Sequence, residues 1–514
     1  MTNMTAFQQQ CYRVVTDSNL SPKQKSNNLA LLAENHLPYV ELDLETKHAL
    51  EQRVICDMYE GHAPYKPRYV LPDYQLYLKQ GSVWLELEPA NDFDDALNML
   101  TIIYHHVPSV TGMPVYLGRL DELLLPYVGS LTENELYARL KRFWIMLDRN
   151  LPDAFMHANI GPSDNIICRL LLRIDRELKQ VAPNLTFFYD EKITPESLLT
   201  VAIACICETG KPHIANYNLI AKDFDKMGFG VVSCYNSLPV AGGGSTLSRI
   251  NLKEVALRSE DRHDFLTNML PYYCRLQLNL IKERSQFLYE KSNFFTNSFL
   301  VNEGLIKPER FAPMFGIFAM AEAVNILQEK AHLSGRYGQD EQADLLALEI
   351  SQQLADFVNQ HTVTYGWRNK AMLHAQSGIS IDHGLTPGVR IPYGEEPDPV
   401  SHIMSVFVHH KYYSSGISDI LTIDETIKNN QAALLKICLA AFELGMREFT
   451  ANISGNDLVR VTGYMVRLSD IAKFKQQGSR TNTTVLGSEA ASDSSGFLHR
   501  QPRVISHEQN MGHS

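Results

Sequence analysis

From residue 91 to residue 477, long amphipathic segments alternate with short apolar runs, and no Pro/Ser/Gly-rich linker separates them. Helix-period segments fall at 91–105, 132–150, 261–290, 317–333, 340–360 and 425–446. A further helix opens at Thr194-Pro195, with the proline in its first turn. Asn91-Asp92 caps the first of these, and Thr132-x-x-Glu135 has capping-box form. Strand-like runs lie between them at 214–217, 229–234, 417–423 and 459–468. Helices alternating with short apolar strands predict one α/β unit. Periodicity alone leaves open whether its sheet is open or closed.

The 514 residues carry a net charge of −11, with 45% hydrophobic and 20% charged residues. An acidic surface repels phosphate backbones, so nucleic-acid binding is not expected. The polar start, Met1 to Gln8, reads as no secretion leader. The apolar run from Phe315 to Leu327 is interrupted by Glu322 and Asn325 and is too short for a bilayer, so no membrane association is expected. The eight cysteines form no Cys-x-x-Cys pair, which removes the usual zinc and iron–sulfur spacings. No metal site is expected. Cys205 and Cys207 read as small core residues.

Two stretches carry the chemistry. Near the C-terminal end stands Arg460-Val461-Thr462-Gly463-Tyr464. A Cα radical must become planar, and only glycine has no Cβ to obstruct that. Far upstream, Phe229 to Ser233 reads as a buried strand ending at Cys234, followed by Gly242-Gly243-Gly244, read as a sharp reversal. The segment from Ser245 then leads through Asn251-Leu252 into a helix. A thiyl radical abstracts hydrogen from carbon in a dry, rigid setting. The pair of stretches resembles the glycine and cysteine loops of glycyl radical enzymes, among them pyruvate formate-lyases and anaerobic ribonucleotide reductases. Three further segments resemble that superfamily in consistent order. They are Gly118-Arg119-Leu120-Asp121 with Pro126-Tyr127, Thr386-Pro387-Gly388-Val389-Arg390, and Ser415 to Thr422. Over nearly its full length the chain resembles the YjjI-type branch, in 60–74, 233–239 and 501–508.

That resemblance implies a fold and a set of roles. The expected fold is a ten-stranded α/β barrel of two five-stranded halves, wrapped by helices, with the cysteine and glycine loops meeting inside. Gly463 would store the radical, as a modification of this chain, and Cys234 would relay it to a small-molecule substrate. No cofactor is expected on this chain. The iron–sulfur cluster and S-adenosylmethionine would belong to a separate radical-SAM activating enzyme. The expected setting is cytoplasmic and anaerobic, with a homodimer as one option. The expected division is an N-terminal helical or irregular segment (1–90), a barrel core with the cysteine loop (91–440), a glycyl radical segment (441–477) and a polar tail (478–514).

Departures from the better-known branches limit the reaction. Tyr235 follows Cys234, so the second cysteine of pyruvate formate-lyase is missing. Asn236 stands where the diol and choline lyases carry a glutamate base, and an amide takes no proton at neutral pH. Neither a nucleotide-sensing cone nor a four-cysteine zinc site is recognisable. Elimination, C–C cleavage and reduction all stay open. The alternatives are a nucleotide-level reductase and a non-catalytic spare part that donates its glycyl segment; a chain that keeps Cys234 argues against the latter. Tyr235 and Asn236 flank the thiol and are candidate substrate contacts. His213, His374, His383, Asp382 and Asp419 are candidate acids or bases, with His213 and Asp419 also expected at the substrate.

Overall fold

The computed structural model describes residues 4–18, 20, 22–37, 40–57, 64–109, 115–151, 155–375, 384–417, 419–461 and 464–477. The strands in chain order are β1 (Ile55–Asp57), β2 (Tyr69–Leu71), β3 (Tyr116–Arg119), β4 (His157–Ile160), β5 (Asn184–Tyr189), β6 (His213–Asn216), β7 (Phe229–Val232) and β8 (Asn236–Pro239). They continue with β9 (Gly242–Asn251), β10 (Phe311–Phe318), β11 (Met372–His374), β12 (Leu421–Ile423), β13 (Glu448–Phe449), β14 (Ala451–Ile453), β15 (Leu458–Arg460) and β16 (Met465–Arg467).

Ten of these strands form two five-stranded sheets. In one, β9, β10 and β11 run parallel, while β1 and β2 pair antiparallel with β9. In the other, the order is β13-β6-β5-β4-β3, parallel except for β13. Parallel strands covered on both faces need continuous apolar runs, and all eight residues of β10 are buried. The β7–β8 hairpin sits between the halves. Its first strand packs on β3 and β4, its second on β9 and β10. One hydrophobic core spans both sheets, the hairpin and the surrounding helices.

Most expected helices form where their caps indicate. Asp92 caps Phe93–Tyr104, and Thr132 and Glu135 form a reciprocal capping box on Glu133–Asn150. The 261–290 stretch is helical, with a π turn at Phe265–Met269 just before Pro271. Proline lacks the N–H that an unbroken ladder would need there. Pro195 is the N-cap of Glu196–Thr209 and lies before its first turn.

Several expectations need correction. The apolar stretch at 317–333 divides: β10 ends at Phe318, Ala319 turns with φ +62°, and the helix is Met320–Lys330. An apolar run buried on all sides looks alike as strand or helix. The glycines at 242–244 make no reversal but open the ten-residue β9. The reversal comes earlier, at Ala241 with φ +56°. A Cβ on Gly243, where φ is +147°, would lie 2.0 Å from the Tyr69 carbonyl oxygen, so glycine here admits β2 alongside β9. The 459–468 run is a hairpin of β15 and β16 rather than one strand, and 417–423 yields only Leu421–Ile423. The sheets also cross the expected boundaries. β1 and β2 come from the first 90 residues, and β13 from the 441–477 segment. The 478–514 tail lies outside the described residues.

Candidate active site

Cys234 stands at the tip of the β7–β8 hairpin. Val232 pairs with Asn236, leaving Ser233, Cys234 and Tyr235 as the loop. Ser233 and Tyr235 both hold positive φ, +51° and +59°. Non-glycine residues rarely adopt this conformation, and it persists only where surroundings enforce it. The surroundings are plain. Asn159 on β4 pairs with both backbone groups of Val231, at 2.8 and 2.9 Å, as a neighbouring strand would. Asn236 Nδ2 donates to the Val232 carbonyl at 3.1 Å. The Tyr69 hydroxyl donates to Ser233 Oγ at 3.3 Å. Ser237 N donates to the Ser415 carbonyl at 3.2 Å. Gly416, with φ +148°, lies against the same tip; a Cβ there would meet His374 Nδ1 at 2.9 Å and the Tyr235 carbonyl oxygen at 3.1 Å. Cys234 is buried, at 5% exposure, and all eight cysteines are free thiols.

Gly463 and Thr462 lie outside the described residues, but their neighbours are placed. β15 and β16 pair through Arg460 and Met465, and Val461 N donates to the Tyr464 carbonyl at 3.1 Å. The Val461 carbonyl accepts from the Tyr393 hydroxyl at 3.0 Å and from Arg390 at 3.5 Å. Asn452 pairs with both backbone groups of Arg460 at 2.8 Å. The buried Arg460 guanidinium donates to the Gly210 carbonyl at 3.1 Å and lies 5.1 Å from the centroid of the Tyr235 ring. The residue three before Gly463 therefore stacks on the residue after Cys234.

Tyr235 also stacks on His213, with ring centroids 3.9 Å apart. From there a hydrogen-bond chain defines tautomers. His157 Nδ1 lies 3.3 Å from the Ser233 carbonyl, which only accepts, so Nδ1 carries the proton. Burial, aided by Arg460, pushes His157 down to about 3, so the ring is neutral and its Nε2 is bare. Thr186 Oγ1 must then donate to that Nε2 at 2.6 Å. The hydroxyl's lone pair accepts from His213 Nδ1 at 3.0 Å. Burial, then Arg460 and His157, push His213 far below its ordinary range, so it too is neutral with a bare Nε2.

That Nε2 faces the Glu448 carboxyl at 3.5 Å. Burial raises Glu448 well above the ordinary carboxylate range, against the pull of Arg447 and Arg390, and so favours its protonated form. Neither Glu448 oxygen nor His213 Nε2 has a hydrogen-bond partner among the described residues. The hydroxyls of Tyr235 and Thr450 face each other and have no other partner there.

The sequence expectations divide accordingly. Cys234, Tyr235 and His213 come together. Asn236 closes the hairpin through its amide nitrogen, while its buried Oδ1 has no partner among the described residues. Asp419 is bonded to His402 and accepts from Ile420 N at 2.8 Å. Burial opposes its charge, but His402 and Arg390 hold its carboxyl below the usual range. His374 is buried beside the tip, and burial pushes it down to about 3. Asp382 and His383 lie outside the described residues. Among the described residues no three ligating side chains gather as a metal site. His409 bonds Ser351 at 2.9 Å, and His410 accepts from Arg447 N at 3.0 Å.

Glu448 and Thr450 escaped the sequence reading. The available signal was weak: a glutamate and a threonine two apart, hence on one face, in a mixed stretch upstream of the glycine motif. Other motif residues are structural. Asp121 accepts from Gly161 N and Asn165 Nδ2, each at 3.0 Å, and Arg119 donates to the Gly161 carbonyl at 2.7 Å. Thr386 binds Glu322 at the start of Met320–Lys330.

Comparison with solved structures gives the fold. Hydroxyproline dehydratase from Clostridioides difficile superposes with a TM-score of 0.68 at 11% identity, over 97% of this chain and 88% of that one. The B12-independent glycerol dehydratase of Clostridium butyricum gives 0.67 at 12%, over 90% and 86%. The anaerobic ribonucleotide reductase of Thermotoga maritima gives 0.64 at 12%, over 92% and 89%. The fold is the ten-stranded α/β barrel of glycyl radical enzymes, in two five-stranded halves. Residues 20–503 match the description "Glycyl radical enzyme YjjI-like", and the chain belongs to that family. It is 63% identical to the protein YjjI of Escherichia coli (strain K12) over 98% of each chain. It is 37% identical to a Haemophilus influenzae protein over 94% of this chain and 96% of that one.

Proposed function

We propose that Gly463 stores an unpaired electron and that Cys234, as a thiyl, takes a hydrogen atom from a carbon of a small organic substrate. In that step a C–H bond breaks, an S–H bond forms, and the radical moves to the substrate. A separate radical-SAM activating enzyme, holding the iron–sulfur cluster and S-adenosylmethionine, generates the glycyl radical, in the oxygen-poor cytoplasm. Tyr235 and His213 line the substrate space, and Asn236 and Asp419 support it. No helix among the described residues is long and apolar enough to cross a membrane.

One observation carries this reading. Arg460, in the glycine motif, packs on Tyr235, beside a thiol held at a strained hairpin tip between two half-barrels. The buried setting supports radical chemistry, because it keeps water and stray donors from a reactive centre. The test is anaerobic activation followed by electron paramagnetic resonance. The doublet expected of a glycyl radical should collapse on α-deuteration of glycine. It should be absent from Gly463→Ala. Air should then cut the activated chain at Gly463, releasing the segment from Tyr464 onward. The same doublet in Gly463→Ala, or an uncut chain from a sample shown to carry radical, would refute the assignment.

A further inference from the structure

The Asn236 amide leaves the thiol hairpin without a carboxyl, yet the interior does not lack one. β13 places Glu448 beside β6, where Glu448 pairs with Ala215 and faces His213. The chain from the Ser233 carbonyl through His157 and Thr186 leaves His213 Nε2 as a bare acceptor. Protonated, as its burial favours, Glu448 is a donor. An acceptor and a donor, both fully buried, stand 3.5 Å apart with no other hydrogen-bond partner among the described residues. At 3.5 Å the two make a poor direct hydrogen bond, and a polar group lying beside the pair, within reach of both, would satisfy them.

We infer that His213 and Glu448 are a recognition pair for a substrate hydroxyl, and that the substrate is a small hydroxylated molecule. This rests on the reading of Cys234 above, because Tyr235 links the pair to the thiol. A hydroxyl does both jobs at once: it donates to Nε2 and accepts from the carboxylic O–H. A carboxylate would set a lone pair against Nε2. An ammonium would sit near the Arg390 and Arg460 guanidiniums, which repel it. Tyr235 and Thr450 add two more hydroxyls for a second polar group. Thr186 and His157 are positioning residues, since they act by holding the His213 tautomer.

The test uses the full chain without its radical. Saturation-transfer NMR measures binding of glycerol and D-ribose against acetate and methylammonium. The hydroxylated probes should bind in preference. Glu448→Gln keeps a donor and should retain that binding, whereas Glu448→Leu and His213→Leu should each weaken it roughly tenfold. Infrared spectroscopy supplies a second reading if the leucine variants do not fold. The parent at neutral pH should show an un-ionised carboxylic acid band that Glu448→Gln lacks. The inference falls if that band is missing, if the leucine variants bind as the parent does, if only the ionic probes bind, or if none does. A missing glycyl signal would overturn the radical assignment and leave these outcomes readable.

Discussion

In the β7–β8 hairpin, Asn159 reaches in from a neighbouring strand and pairs with both backbone groups of Val231; in the β15–β16 hairpin, Asn452 does the same for Arg460. The two differ in what lies behind them. Phe229, Val231, Val232, Tyr235 and Leu238 belong to the core that spans both half-barrels. Val459, Val461, Tyr464, Val466 and Ile471 form their own small cluster with Phe155 and Leu468, and Leu458 and Met465 pack with Val181. Backbone pairing gives both hairpins their geometry, while apolar burial sets how much each costs to displace. The β7–β8 hairpin that carries Cys234 is therefore anchored, and the β15–β16 hairpin is docked. A residue that must meet substrate in one geometry suits the first arrangement. A residue that a second protein must reach suits the other.

The largest test separates the two hairpins by chemistry. Cys234→Ser should fold and accept a radical at Gly463, yet lose turnover and the exchange of solvent deuterium into Gly463. The O–H bond is too strong for serine to relay a hydrogen atom. Retained activity would place the thiyl elsewhere. A pH series comes next. His157, His374, His409 and His410 are each pushed down to about 3 by burial. The unfolded chain takes up protons below about 6.5 while the folded one does not, so stability should fall between about 6.5 and 3, by roughly 1.4 kcal/mol per unit per histidine. Glu448 acts with the opposite sign. Its raised value favours the fold at low pH, and that contribution fades as pH rises. Thermal melting should show the histidines prevailing in acid; a flat profile would mean they are not buried neutral.

Hydrogen exchange probes the packing difference directly. Amides of β15 and β16 should exchange roughly tenfold or more faster than those of β7 and β8. Equal protection would mean that the glycine hairpin is as deeply anchored as the thiol. The smallest effect is expected at Cys205→Ala. Cys205 is buried on Glu196–Thr209, its thiol donating to the Leu172 carbonyl at 3.6 Å, and its loss should cost about 1 kcal/mol with turnover retained. Denaturant melts and an activity assay check it.

Gly463 and Cys234 were legible because the segments around them resemble the glycine and cysteine loops of glycyl radical enzymes. Caps at Asp92 and Thr132 were legible because they act within one turn. Gly242 to Gly244 misled, since glycine serves a reversal and a close strand approach equally well. Only the position of Tyr69 across β9 separates the two.

By itself, then, the sequence determined the α/β character, through local periodicity, and offered the candidate thiol and the candidate radical glycine through the resemblance of their segments to those of glycyl radical enzymes. Tertiary structure decided what surrounds the thiol. Arg460 reaches Tyr235 across 225 residues of chain, and Glu448 reaches His213 across 235. Whether His213 accepts or donates depends on a carbonyl three hydrogen bonds away, at Ser233. Proton positions in a dry interior are set by neighbours in space, and the order of residues along the chain does not encode them.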